Sequence, residues 1–412
     1  MSISSYPDKV SIAEGSGNVN FYGPALDAFG RVRISTPLTL FDSTNRYESD
    51  PHFDTSTSTG GSITHLPNES TVRMDVTTAS GSEVVRQTYR SFPYQPGKSL
   101  LILTTFVMNT AKTGLRQRVG YFSTQNGIYL QQNDSTVSFV LRSYTSGSVD
   151  NSREVTQANW NGDKLDGTGK SGYTIDLTKS QILFIDIEWL GVGSVRCGFV
   201  IEGKFIVAHT FHNANIYSAV YMTTATLPVR YEITNTSVTA SSSSLKQICS
   251  TVMSEGGYEQ VAADSVIRRT TSLGSITTTF LPLISIRLAS DTLGAIVLPN
   301  RVSVIPTTSD VFEVALIKNA TLTGASYNTT DFAHVDYDIT ATALSGGTVV
   351  QSDFVASTNQ SSGNLSAPTG YNFDLQLGVS IAGTSDVYTL AVRTMSGSGG
   401  SVYGSMSFYD LA

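Results

Sequence analysis

Side-chain polarity alternates with a period of two along most of this chain. Across Leu183-Phe184-Ile185-Asp186-Ile187-Glu188-Trp189, the residues Leu183, Ile185, Ile187 and Trp189 share one face, and Phe184, Asp186 and Glu188 share the other. That is the signature of a strand with one buried side. Gly191-Val192-Gly193 interrupts it, Val195–Ile201 resumes it, and Glu202-Gly203-Lys204 turns into Phe205-Ile206-Val207-Ala208-His209. Gly203 supplies the positive φ of a short hairpin, so the spacing predicts a three-strand meander over 181–211. Further strands are predicted at 100–108, 119–123, 128–130, 137–144, 219–222 and 229–234. Beyond residue 260 they follow at 283–288, 295–298, 302–305, 312–318, 349–355, 373–379, 387–395 and 401–409, with polar loops at 271–279 and 357–369.

One segment breaks the alternation. In 241–255, serines that can cap a helix precede Leu245, Ile248 and Val252 at helical spacing, and Gly256-Gly257 stops the run. A short helical or irregular bridge is expected there. The first 45 residues are Gly-rich and weakly periodic, as in an extended arm. The expected fold class is therefore all-β. An arm (1–45), a jelly-roll or lectin-like antiparallel β-sandwich (46–240), a bridge (241–260) and a second β-sandwich (261–412) make up the chain. Strands joined by Gly, Asn and Asp turns without amphipathic helices between them call for this class.

Length and composition agree, since 412 residues suit about two or three domains. Hydrophobic residues make up 40%, enough for real cores, while charged residues make up 14% against about 25% in ordinary soluble proteins. Net charge is −7 with no Lys/Arg cluster, which argues against nucleic acid as a direct partner. No apolar run reaches the roughly 18 residues that would span a bilayer. The first residues lack the basic and apolar regions of a signal peptide, so synthesis in a cytoplasm without export is expected. Cys197 and Cys249 are expected to be buried free thiols.

Candidate chemistry is sparse. His209 and His212 are the closest histidine pair, but spacing of i, i+3 on a strand points them to opposite faces, so no metal site is expected. Ser396-Gly397-Ser398-Gly399-Gly400 resembles a nucleophile elbow in composition alone, because it joins two strands rather than a strand and a helix. Asp186 and Glu188 project from one strand face about 6.5–7 Å apart. Such a pair suits a glycosidase or, more simply, a solvated sheet face. Asn161, Asp163 and Asp166 offer oxygen ligands for a cation or an ordinary turn. No phosphate-cradling loop or dinucleotide fingerprint is present, and no cofactor is expected. Trp160, in the loop Ala158-Asn159-Trp160-Asn161-Gly162, is the candidate glycan-contact residue, because sugars stack on exposed indoles and binding lives on loops. The competing reading is an indole that anchors its own loop. No catalytic residue is assigned, and the chain is read as a non-enzyme.

Asp27-Ala28-Phe29-Gly30-Arg31-Val32-Arg33-Ile34-Ser35-Thr36-Pro37, followed by Leu40-Phe41-Asp42-Ser43, resembles a block near the start of structural proteins of tailed bacteriophages, especially marine and cyanobacterial ones. Leu245–Val252 with Ser254–Glu259, and Asn319–Gly324 with Gly346–Val350, resemble two further shared blocks. The resemblance implies a virion protein without known catalysis, on tail, neck, fibre or capsid. In the first block Phe29, Arg31, Arg33 and Phe41 are the candidate subunit-docking residues, since aromatic and Arg side chains anchor interfaces. The alternative is that the segment is the first strand of its own sandwich. The 181–211 meander is similar to the back sheet of concanavalin-like lectin sandwiches. Expected partners are other virion proteins and copies of the chain itself, with a trimer favoured. The expected roles, in order, are virion architecture, adhesion to host surface glycan through loops such as 158–170, and polysaccharide depolymerisation.

Overall fold

Inward-facing apolar residues at every second position, closed by Gly- and Asp-bearing turns, give antiparallel strands throughout the computed structural model. It describes residues 36–259, 263–356, 363–366, 373–395 and 399–411. Among them no α-helix forms, so none is long and apolar enough to cross a membrane.

Fifteen strands build the first unit. They are β1 (Leu38–Thr44), β2 (Phe53–Ser58), β3 (Ser62–Leu66), β4 (Thr71–Val76), β5 (Glu83–Thr88), β6 (Leu100–Val107), β7 (Leu115–Phe122) and β8 (Gly127–Asn133), continuing with β9 (Thr136–Ser143), β10 (Asp150–Thr156), β11 (Gln181–Ile187), β12 (Val195–Ile201), β13 (Lys204–Phe211), β14 (Val229–Asn235) and β15 (Ser243–Ser254). One sheet has the order β13-β12-β11-β6-β15-β4-β3 with β1 also on β15, and the other β10-β9-β8-β7-β14-β5-β2. The predicted meander is β11-β12-β13. A single core lies between the sheets, with Ile102, Leu183, Ile185 and Leu245 from one and Val119, Leu130, Phe139 and Tyr231 from the other.

The second unit repeats this plan. A four-stranded sheet (Ala263–Ile276, Gly400–Asp410, Val297–Pro306, Gly363–Ser366) faces a six-stranded one built on Leu281–Leu288, Val387–Thr394 and Val311–Lys318. Ile284, Val304, Phe312, Leu390 and Phe408 lie in its core. Gln376 Nε2 donates to Ser91 O (2.8 Å), Val379 N to Tyr89 O (2.8 Å) and Ile381 N to an oxygen of Asp54 (2.7 Å), tying the two units.

Several expectations need correction. The expected helical bridge is β15, a central strand. A β-bulge between Gln247 and Ser250 inserts one residue opposite β6. The bulge resets the alternation, so Leu245 and Val252, seven apart, both point inward. An odd separation on one face imitates a helix when read as sequence. The expected loop 271–279 is largely the end of an exposed strand, Ala263–Ile276. The expected strands at 219–222 and 373–379 are not strands. Tyr221 and Met222 are buried loop residues, and Phe373–Leu375 forms a 3-10 turn.

The arm also ends earlier than expected. Leu38–Thr44 pairs with β15, and Phe41, 3% exposed, sits in its own unit's core against Phe92 (5.0 Å between centroids) and Phe53 (6.0 Å). Phe41 is therefore not a subunit anchor, because burying its ring at home leaves no apolar surface to offer. Phe29, Arg31 and Arg33 lie outside the described residues.

Candidate functional site

The outer face of the seven-stranded sheet carries the densest charge chemistry in the first unit. On β7, Leu115, Val119 and Tyr121 point into the core, which sends Arg116, Arg118, Gly120 and Phe122 outward. On β14, Val229, Tyr231 and Ile233 point in, leaving Arg230, Glu232 and Thr234 outside. Register then sets Arg118 between Gln131 of β8 and Glu232 of β14, and Arg116 between Asn133 and Thr234.

An outward strand face usually meets water, yet Arg230, Glu232 and Arg142 are each 6% exposed and Gln131 5%. Charges this buried require partners, and a ladder across six strands supplies them. Arg230 donates to Gln87 (2.7 Å) and Glu232 (3.0 Å), and Arg118 to Glu232 (3.3 Å) and Gln131 (2.7 Å). Gln131 and Ser138 donate to the same Glu154 oxygen, at 3.0 and 2.6 Å. Beneath the ladder Phe122 and Tyr129 stack at 4.5 Å. Arg118 and Arg142 cover the Tyr129 ring at 5.1 and 5.0 Å, and Arg230 covers Phe122 at 5.6 Å. The rings are fully buried, so they seat guanidiniums and offer no stacking surface of their own.

Burial alone would raise the Glu232 pKa, but Arg230 and then Arg118 outweigh it and hold the carboxyl below its usual range. Glu232 is thus a fixed acceptor rather than a proton donor. Glu154 stands four strands away in the sheet and is joined to Glu232 only through Gln131 and Arg118. Arg116 differs from the other arginines here. It makes no hydrogen bond to a described residue, and its Nε, like that of Arg230, is buried without an acceptor.

The residues singled out in the sequence do not converge here. Trp160 is 2% exposed, its ring 4.8 Å from Phe139 and its Nε1 donating to Val155 O at 3.1 Å. It anchors its loop in the core, so its face cannot stack on a sugar. Asp186 is paired with Arg196 on the outer face of the other sheet, while Glu188 lies past the strand end and receives Ser194 N at 3.4 Å. Burial raises the Asp186 pKa despite Arg196. His209 is buried, accepts Asn161 N at 3.3 Å and is pushed by burial to a pKa of about 4, whereas His212 is exposed. The Asp163 carboxylate is filled by Leu165 N (2.9 Å) and Ser171 N (2.7 Å), which makes it a turn brace. Cys197 is buried, Cys249 half-buried, and both are free. Ser396, Gly397 and Ser398 lie outside the described residues.

A concavity of about 690 Å³ lies on the eight-stranded sheet between Tyr173, Ile182, Val200, Glu202, Ile248 and Cys249. Tyr173 Oη donates to Glu202 at its rim (2.5 Å).

No protein-family model and no curated protein sequence matches the chain. Solved structures do. The carbohydrate recognition domain of Emp47p is 10% identical, covering 53% of this chain and 96% of its own, with a TM-score of 0.33. A carbohydrate esterase from the Shiga toxin-encoding bacteriophage phi24B is 9% identical, covering 53% and 100%, with a TM-score of 0.33. The CBM2 module of the evolved Dit of Lactobacillus casei BL23 phage J-1 is 8% identical, covering 55% and 100%, with a TM-score of 0.36.

Proposed function

We propose that the chain is a non-catalytic structural component of a tailed-bacteriophage particle, assembled with other virion proteins and with copies of itself, most simply as a trimer. The observation that carries the non-catalytic reading is the ladder on the seven-stranded sheet. Its buried carboxylate, Glu232, is held ionised between two guanidiniums, and its exposed one, Glu154, is bonded twice. Side chains locked this way hold a surface in one shape, and Glu232 is not poised to give up a proton. The blocks at 27–37 and 40–43 support placement in a virion, and the low charge content suits permanent contact between β-rich surfaces. Purified full-length protein incubated with host surface polysaccharide is expected to release no reducing ends. Release that scales with protein concentration would overturn the proposal in favour of a depolymerase.

A second reading, adhesion to host glycan, is favoured by the half-buried Arg116 and Asn133 and the exposed Thr136, which the strand register holds side by side on the same face. It moves recognition away from Trp160 and the 158–170 loop. Saturable binding of host polysaccharide by the purified protein supports it, and absence of binding leaves architecture alone.

A further inference from the structure

We propose that the outer face of the four-stranded sheet in the second unit seats an acidic saccharide between Arg268 and Tyr403, an inference that rests on the adhesion reading above and adds a site to it. Ile267, Val302, Val304, Val402 and Met406 belong to the core, which turns Arg268, Ser303, Ile305, Tyr403 and Ser405 outward. Register sets Arg268 beside Ser405, Ser405 beside Ser303, and Tyr403 beside Ile305. A bulge opens this face. Between Arg269 and Leu273 the edge strand Ala263–Ile276 has three residues where its neighbour, Gly400–Asp410, has Tyr403 alone. Extra residues bend the strand that carries them, and a concavity of about 380 Å³ lies there between Arg268, Thr270, Ser303, Ile305, Tyr403 and Ser405.

The concavity joins apolar surface to unpaired charge. Tyr403 and Ile305 are 41% and 48% exposed, apolar area of the kind that the C–H face of a sugar covers, and ligand sites combine such area with a few fixed polar groups. Arg268 is exposed, as is Arg301, two positions from Ser303 on its strand, and neither makes a hydrogen bond or an ion pair to a described residue. Alternation sends one carboxylate to the same face. That residue, Asp264, accepts from Asn300 Nδ2 at 3.2 Å and stands about 13 Å along the strand from Arg268. Arg269 turns the other way and donates to Leu283 O at 3.3 Å. Two accessible guanidiniums are thus left for an outside carboxylate, the planar group that a guanidinium meets through two parallel hydrogen bonds. The hydroxyls of Thr270 and Ser405, which make no hydrogen bond to a described residue, can donate to and accept from sugar hydroxyls. A bare anion would leave Tyr403 and Ile305 uncovered, and two guanidiniums on a chain of net charge −7 offer no track for a phosphate backbone.

Calorimetry with the full-length protein tests the seat. The probes are a panel of uronate- and sialate-bearing oligosaccharides, neutral dextran oligosaccharides, sodium sulfate, and host polysaccharide. The seat predicts that at least one acidic oligosaccharide binds more tightly than the neutral ones. Arg268→Gln and Tyr403→Ala should each weaken it tenfold or more with unchanged unfolding temperature, and Arg268→Lys should recover part of the loss. Binding should also weaken in 0.5 M salt. Oligosaccharide binding untouched by both variants would overturn the seat and leave adhesion standing. Sulfate competing as well as the acidic sugars, or a loss with Arg268→Gln but none with Tyr403→Ala, would overturn the saccharide in favour of a simple anion. Host polysaccharide bound with no acidic oligosaccharide bound would overturn the seat alone. No binding of any probe would overturn the seat and the adhesion reading together.

Discussion

Replacing Glu232 with glutamine removes one charge from the centre of the ladder and almost no volume. In the native face that carboxylate accepts from Arg118 at 3.3 Å and Arg230 at 3.0 Å while only 6% exposed. An amide keeps one acceptor oxygen but turns an NH₂ group toward a guanidinium, leaving two buried cations short of their counter-ion. Removing one partner of a buried ion pair costs about 3–5 kcal/mol, a large share of the about 5–15 kcal/mol that holds a domain together. With a urea m-value of about 2–3 kcal/mol per molar, the midpoint should fall by about 1–2.5 M. Of the chain's two tryptophans, Trp160 lies in the first unit's core and the partly buried Trp189 packs against it, so their fluorescence reports this unfolding without contribution from the second unit. The pH dependence is a second readout. Because the folded pKa of Glu232 lies below its unfolded value near 4.5, its stabilisation is present above pH 4.5 and disappears as pH falls through the folded pKa. The gap between wild type and Glu232→Gln should therefore shrink as pH falls below 4.5 toward the folded pKa, since a protonated Glu232 resembles the amide. A cost below about 1 kcal/mol at pH 7, or a gap that does not shrink in acid, would refute the ladder as described.

Trp160→Ala should cost about 3–5 kcal/mol and lower the unfolding temperature, with any loss of glycan binding matching only the unfolded fraction; lost binding at an unchanged unfolding temperature would restore Trp160 as a contact residue. Phe41→Ala should also cost about 3–5 kcal/mol in urea unfolding of the isolated chain, whereas a docking residue would leave that stability unchanged and weaken assembly instead. His209 should titrate with a midpoint of about 4 by imidazole NMR, so its burial destabilises the fold as pH drops from 6.5 toward 4; a midpoint above 6 would contradict its buried position.

The fold was legible where the alternation is local. The meander and most other strands announce themselves because each buries one face, and the turn glycine at 203, with φ of 74°, fixes its hairpin. The reading failed where one residue shifts the phase. The bulge at Gln247–Ser250 places Leu245 and Val252 on one face at a helical separation, and neither local propensity nor period distinguishes this from a helix. Phe41 was ambiguous because an apolar ring near the chain start suits an interface and a core equally; only the pairing of β1 with β15 decides it. The candidate site was half visible. Arg230 and Glu232 on β14 already alternate with apolar neighbours in the sequence, and Arg116 and Arg118 on β7 alternate with Leu115, Gln117 and Val119. Their partnership depends on β7 pairing with a strand more than a hundred residues later, and no local pattern encodes that. Trp160 allowed two readings because a tryptophan among Asn and Gly suits an exposed contact or a loop anchor, and the structure shows the anchor, with the ring inward against Phe139 after its 3-10 turn.

The claim that this chain builds part of a virus particle is tested most directly by counting it there. Quantitative mass spectrometry of gradient-purified particles, scaled to the major capsid protein, should find the chain at a fixed copy number that is a multiple of three and survives repeated banding. Its absence from banded particles, with the protein confined to the soluble lysate, would contradict the account.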